Sequence, residues 1–162
     1  MDPLATATAD DKVLIVTRTF AAPRALVWRA FSDPFHLRQW WGPKGFTNPV
    51  CELDFRVGGH WHNVMRGPDG REYPADFTFI EIAEPERIVF RNARGKGEVW
   101  GGNPPPSFVR TITFTEEDGR TTLTMRAEFA SAEDLQRNAS RGFRQGTDES
   151  FDRLEAMLAE AR

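Results

Sequence analysis

Between Thr47 and Phe129 the apolar residues of this chain recur with a period of two, and that alternation decides most of what it can fold into. Candidate strands occupy 47–55, 59–66, 72–82, 86–93, 107–115 and 120–129. The breaks between them are Val57-Gly58-Gly59, Gly67-Pro68-Asp69-Gly70, Glu84-Pro85 and Glu117-Asp118-Gly119, with one long exception from Arg94 to Ser107. Breaks this short leave no room for a crossover, so consecutive strands must be hairpin partners in an antiparallel meander. The alternation also separates two faces. Trp61, Asn63 and Met65 oppose His60, His62 and Val64; Tyr73, Ala75, Phe77 and Phe79 oppose Asp76 and Thr78; Leu123, Met125, Ala127 and Phe129 oppose Thr122, Thr124, Arg126 and Glu128. One face is aromatic and apolar and needs a cover, while the other is solvated.

The cover is the C-terminal segment. Ser131, followed by Glu133 and Asp134, reads as a capped helix start, and no proline follows. The pattern predicts one uninterrupted helix from Ser131 to Glu160, a rod of roughly 40 Å. Its second half carries Phe151, Leu154, Met157 and Leu158 on one stripe, with Asp152, Arg153 and Glu155 turned away. Its first half offers Leu135, Ala139 and Phe143 beside Gly142 and Gly146. Two helical glycines read either as a surface kept bare over a space or as ordinary close packing after a frayed turn. Ahead of the sheet, Val13 to Phe20 forms a first strand. Pro23 starts a short helix through Leu26, Val27, Ala30 and Phe31, and Asp33-Pro34 starts another through Leu37 and Trp40. The order β-α-α-β6-α predicts an α+β fold, a curved antiparallel sheet wrapped around a long C-terminal helix. Residues 1–11 read as a disordered tail and 12–162 as a single domain.

Composition narrows the functions. Thirteen Phe and five Trp exceed what a core needs and suit an apolar pocket. A net charge of −3 without a basic block argues against nucleic acid, and no apolar run is long enough for a membrane span. The one cysteine and an N-terminus unlike a signal peptide point to the cytoplasm.

Several segments carry a family resemblance. Trp40-Trp41-Gly42-Pro43-Lys44-Gly45-Phe46 resembles the Trp-Trp-Gly-Pro segment of the homologues of the activator of heat-shock protein 90 ATPase, within the START-like, Bet v 1-like superfamily. Asp54-Phe55-Arg56-Val57-Gly58-Gly59 resembles that family's Asp-x-Arg-x-Gly-Gly turn, and Gly67-Pro68-Asp69-Gly70 its next hairpin. Glu81-Ile82-Ala83-Glu84-Pro85-Glu86-Arg87 is similar to its Glu-Ile-x-x-Pro-x-x-Arg connection, and Gly142-Phe143, Gly146 and Phe151-Asp152-Arg153-Leu154 to its terminal helix. The likeness spans residues 12–160. It implies the helix-grip fold, with a cavity between sheet and helix that takes hydrophobic or amphipathic small molecules. Relatives include ligand carriers and polyketide cyclases, so a cyclase/dehydratase-type enzyme using the same cavity is the alternative. Contact with a heat-shock chaperone is implied by the family name alone and is not carried across as activity. Members often have Gly where Phe77 stands, so a phenyl ring there should shrink or reshape the cavity.

The expected ligand walls are Trp41, Phe46, Trp61, Met65, Phe77, Phe79, Phe143 and Phe151, with Asn63 and Arg110 as polar handles. Arg110 shares its strand face with Ile112 and Phe114. An inward guanidinium either snorkels to the rim or holds a carboxylate or an anionic ligand. For the enzyme reading, Arg110 or Tyr73 would polarise a carbonyl. His60 and His62 share a strand face but lack a third ligand of recognisable spacing, so no metal is expected there. His36 reads as a helical surface residue and Cys51 as a small buried hydrophobe. No catalytic signature and no cofactor motif is recognisable. Trp100, in the glycine- and proline-rich stretch from Arg94 to Ser107, makes a homodimer plausible.

Overall fold

The computed structural model describes residues 11–93 and 105–161. Seven strands form a single curved antiparallel sheet in the order β1-β7-β6-β5-β4-β3-β2. They are β1 (Val13–Phe20), β2 (Thr47–Leu53), β3 (His60–Arg66), β4 (Glu72–Ala83), β5 (Arg87–Asn92), β6 (Phe108–Glu117) and β7 (Arg120–Phe129). The meander is the one that the short breaks require, with β1 paired to β7 at its far end. Register shifts between Thr47 and Val50 and between Phe79 and Glu81 mark irregularities that bend the ribbon. At the β2–β3 turn, a Cβ on Gly59 would lie 2.1 Å from the Asp54 carbonyl oxygen, so only glycine fits. That turn is locked to β4 by Gly58 N–H donating to the Phe79 carbonyl and Phe79 N–H donating to the Gly59 carbonyl.

Helices α1 (Arg24–Ser32) and α2 (Pro34–Trp40) follow β1. The Asp33 side chain accepts from Phe35 N–H, with Pro34 in the first turn, as the sequence pair implies. Trp40 is buried and its indole donates to the Ala30 carbonyl, which fastens α2 against α1.

The C-terminal cover departs from expectation in one respect. It is two helices, α3 (Ala132–Ser140) and α4 (Phe143–Ala161), not one rod. Ser131 caps α3 as predicted, its hydroxyl accepting from Asp134 N–H at 3.1 Å. Gly142 then adopts φ +85° and its N–H donates to the Ala139 carbonyl, which is a left-handed helix stop. The glycine read as helix interior is the break itself. Beyond it, Phe151, Leu154 and Leu158 are buried on the stripe that the spacing predicts. This is an α+β helix-grip architecture, with the sheet's aromatic face closed around the last helix. No helix of the described residues is long and apolar enough to cross a membrane.

Candidate functional site

Between the concave face of the sheet and the α3–α4 pair lies a cavity of about 380 Å³. Its walls come from every layer: Trp41 after α2, Met65 on β3, Tyr73 and Phe77 on β4, Phe90 on β5, Phe108 and Arg110 on β6, and Phe143 and Phe151 on α4. The two glycines lie at its helical side, Gly142 at the bend and Gly146 one turn on. A space with a few charged groups, Asp76, Arg110 and Arg141, among aromatic walls is the form that small-molecule sites take.

Six of the ten residues singled out from sequence line this space: Trp41, Met65, Phe77, Arg110, Phe143 and Phe151. The other four stand behind or beside it. Trp61 stacks on Phe77 at 4.2 Å between ring centroids and meets Trp41 at 4.6 Å, so it backs the wall without reaching the cavity. Phe79 packs on Phe55 and Phe90, deeper in the core. Phe46 lies against Tyr73 at 5.9 Å, outside the lining. Asn63 faces inward and is fully buried, but its amide donates to Asn48 Oδ1, whose own amide donates to the Arg38 and Trp41 carbonyls. Its role in the fold is to fix the chain around Trp41. Phe77 does occupy inner-face volume: it is buried, lines the cavity and is held by the Trp61 stack.

Arg110 is the electrostatic centre. Its guanidinium lies in the interior, while the residue as a whole is half-buried and borders the cavity. Aromatic rings surround it: Phe108 at 4.4 Å, Phe143 at 5.4 Å, Trp41 and Phe90 at 5.6 Å, and Phe77 at 5.8 Å from ring centroid to the guanidinium carbon. Its Nη1 is buried with no hydrogen-bond partner among the described residues, and no described carboxylate pairs with it. Burial alone pushes its pKa down to about 9, which leaves it a cation at neutral pH.

The segment that follows α2 is anchored. Arg153, predicted to point away, is half-buried, and its Nη1 donates to the Trp41, Gly42 and Pro43 carbonyls and its Nη2 to that of Gln39. Ser150 accepts from Gly42 N–H and donates to the Trp40 carbonyl, while Glu149 accepts from Lys44 N–H. These contacts were hidden because one helix turn carries both Phe151, which faces the core, and Arg153, which reaches across to a loop distant in sequence.

Sequence reasoning also missed Asn92 and Asn138, both buried and both in the lining. Asn92 binds the Pro106 carbonyl and accepts from Phe108 N–H, tying β5 to the start of β6. Its place at the end of a strand before a glycine-rich stretch was the available signal. Tyr73 lines the cavity. His60 and His62 lie on the outer face beside Thr78 and Asp76 respectively, and no metal-binding cluster occurs among the described residues. His36 sits 3.1 Å from Asp33 on α2. Cys51 is half-buried, and desolvation raises its thiol pKa. Trp100 lies outside the described residues, as does most of the stretch around it.

The model of the family described as Activator of Hsp90 ATPase homolog 1-like protein matches residues 21–159. No curated protein matches the chain. Among solved structures it is similar to protein Ms6760 from Mycobacterium smegmatis, with 32% identity, 94% of each chain covered and a TM-score of 0.82. Protein NE0264 from Nitrosomonas europaea shares 26% identity over 93% of this chain and 96% of its own, with a TM-score of 0.83. A protein from Arthrobacter aurescens shares 28% identity over 93% of this chain and 87% of its own, with a TM-score of 0.82.

Proposed function

Since this chain belongs to the family of Activator of Hsp90 ATPase homolog 1-like proteins, we propose that it binds a small hydrophobic or amphipathic molecule in the cavity between its sheet and its C-terminal helices. The observation that carries this is the cavity itself: about 380 Å³ of space left among close-packed rings, which no described side chain fills. Trp41, Met65, Phe77, Phe143 and Phe151 form the apolar walls and Arg110 the polar handle, with Trp61 and Phe79 as backing. Phe46 and Asn63 hold the neighbouring chain in place.

Native mass spectrometry of gently purified protein, followed by extraction and identification of bound molecules, tests the reading. The expected result is a co-purifying apolar molecule that is lost from a Phe143→Ala variant. Failure to bind any of a panel of aromatic acids, amides and lipids in thermal-shift and direct titration would overturn it. A second reading, a cyclase/dehydratase-type enzyme, has one observation in its favour: Tyr73 and Arg110 line the same cavity. Turnover of an aromatic polyketide chain that falls in both Tyr73→Phe and Arg110→Met would support it. Chaperone contact rests on the family description alone and is not proposed. The homodimer suggested by Trp100 is tested by size-exclusion chromatography of the Trp100→Ala variant.

A further inference from the structure

Arg110 raises a question that an apolar ligand does not answer. A guanidinium carries a full charge and five N–H donors in a flat fork. Taking such a group out of water costs several kcal/mol unless a counter-charge and hydrogen-bond acceptors replace the water. Here the surroundings supply ring faces, which favour a cation but accept no strong hydrogen bond. Burial is the only cause acting on its acidity, and Nη1 has no acceptor among the described residues. The side chain nevertheless borders the cavity. The acid among the described lining residues, Asp76, is engaged on the outer face by His62 Nδ1 at 2.7 Å.

We propose that the ligand is a monocarboxylate with a flat apolar body, its carboxylate held by the Arg110 guanidinium and its rings lying against Trp41, Phe77 and Phe143. This rests on the binding function proposed above and assigns the ligand's charge and shape. A carboxylate meets the fork with two parallel N–H···O bonds and cancels one charge with one charge. A phosphate monoester brings close to two negative charges, more than the single charge of Arg110 cancels. The other cation of the lining, Arg141, makes interactions of its own at the α3–α4 bend. A neutral ligand would leave the buried charge as it is. The aromatic walls that cage the cation are also the surfaces on which a planar ring system stacks.

The test is titration of the full-length protein at pH 7, followed by tryptophan fluorescence and calorimetry, with matched pairs: benzoate, 2-naphthoate, anthracene-2-carboxylate and decanoate, each against its primary amide. The acid of at least one ring-bearing pair is expected to bind about tenfold or more tightly than its amide. Arg110→Met is expected to bring acid affinity down to that of the amide while amide affinity stays within about threefold. Arg110→Lys, which keeps the charge and loses the fork, is expected to retain part of the preference, and it keeps the test valid if the Met variant does not fold. Equal binding of acid and amide, unchanged by either substitution, overturns the carboxylate proposal and leaves the cavity reading standing. Tighter binding of decanoate than of every ring acid overturns the flat-body assignment. Binding of neither member of any pair overturns both proposals.

Discussion

Arg110 and Arg153 show two ways in which a chain can take a guanidinium out of water. Arg153 spends its donors on four carbonyls, those of Gln39 in α2 and of Trp41, Gly42 and Pro43 in the segment after it, so its cost is offset by charge-assisted hydrogen bonds. Arg153→Ala is expected to lower stability by about 2–3 kcal/mol in urea unfolding, because it leaves those carbonyls unpaired and frees the segment around Trp41. Arg110 has no such return in the ligand-free protein. Arg110→Met is therefore expected to raise stability at pH 7, by about 1–4 kcal/mol, when bound molecules have been removed. The pH dependence follows from the direction of the shift. Burial places the folded-state pKa at about 9, well below the ordinary value for an arginine, so between the two the unfolded chain binds more protons. Stability then rises with pH in that window, and the penalty for the buried charge is complete only below about 9. The advantage of Arg110→Met over the parent is expected to narrow between pH 8 and 10. A lower stability of the Met variant at pH 7 would show that Arg110 already has a counter-charge within the chain.

At the scale of elements, the bend between α3 and α4 shapes the cavity's helical side. Gly142 and Gly146 look alike in sequence, four residues apart, yet they do different work. Gly142 holds φ +85°, which costs an L-residue about 1–2 kcal/mol, and no atom within 4 Å would clash with a Cβ there. Gly146 is helical, and a Cβ would meet Pro43 Cγ at 3.4 Å, an ordinary contact. Gly142→Ala is expected to destabilise by about 1 kcal/mol, and Gly146→Ala to be neutral or stabilising by up to about 1 kcal/mol, in paired urea titrations. Both effects falling in the same direction would mean that the bend does not limit stability. The capping of α3 by Ser131 and of α2 by Asp33 was readable because a cap is a local bond between near neighbours. The break at Gly142 was not, since glycine is compatible with helix interior and helix stop alike, and only the packing of Phe143 against Phe108 and Phe129 favours the stop.

For the whole molecule, the open space inside a closed grip makes ligand binding and stability one equilibrium. A monocarboxylate present at one hundred times its Kd is expected to add about 2.7 kcal/mol, which for a chain of this length shifts Tm by roughly 5–10 °C. The shift should vanish in Arg110→Met if the charge is what is recognised, and differential scanning fluorimetry reads it directly. The sheet's two ends are secured independently of that space. At β1, Arg18 pairs with Asp152 at 2.6 Å and donates to the Asp148 carbonyl, while at β2 the Asn48–Asn63 bond and the Arg153 fan hold the chain after α2.

The amino-acid sequence by itself determined the order of elements, the antiparallel meander and which strand face is apolar. Period-two alternation, short turns and caps are local properties that act before any tertiary contact forms. It also put Arg110 and Phe77 on the inner face, because on a strand the face follows from parity alone. Tertiary structure decided the rest. Whether an inward side chain lines the space or backs its wall depends on curvature, so Trp61 and Phe79 lie behind while Phe90 and Phe108 come forward. Arg153 acquired its carbonyl acceptors, and Arg110 Nη1 went without one among the described residues, because each outcome depends on which carbonyls residues far along the chain bring within about 3 Å of a nitrogen, a distance that no local pattern encodes.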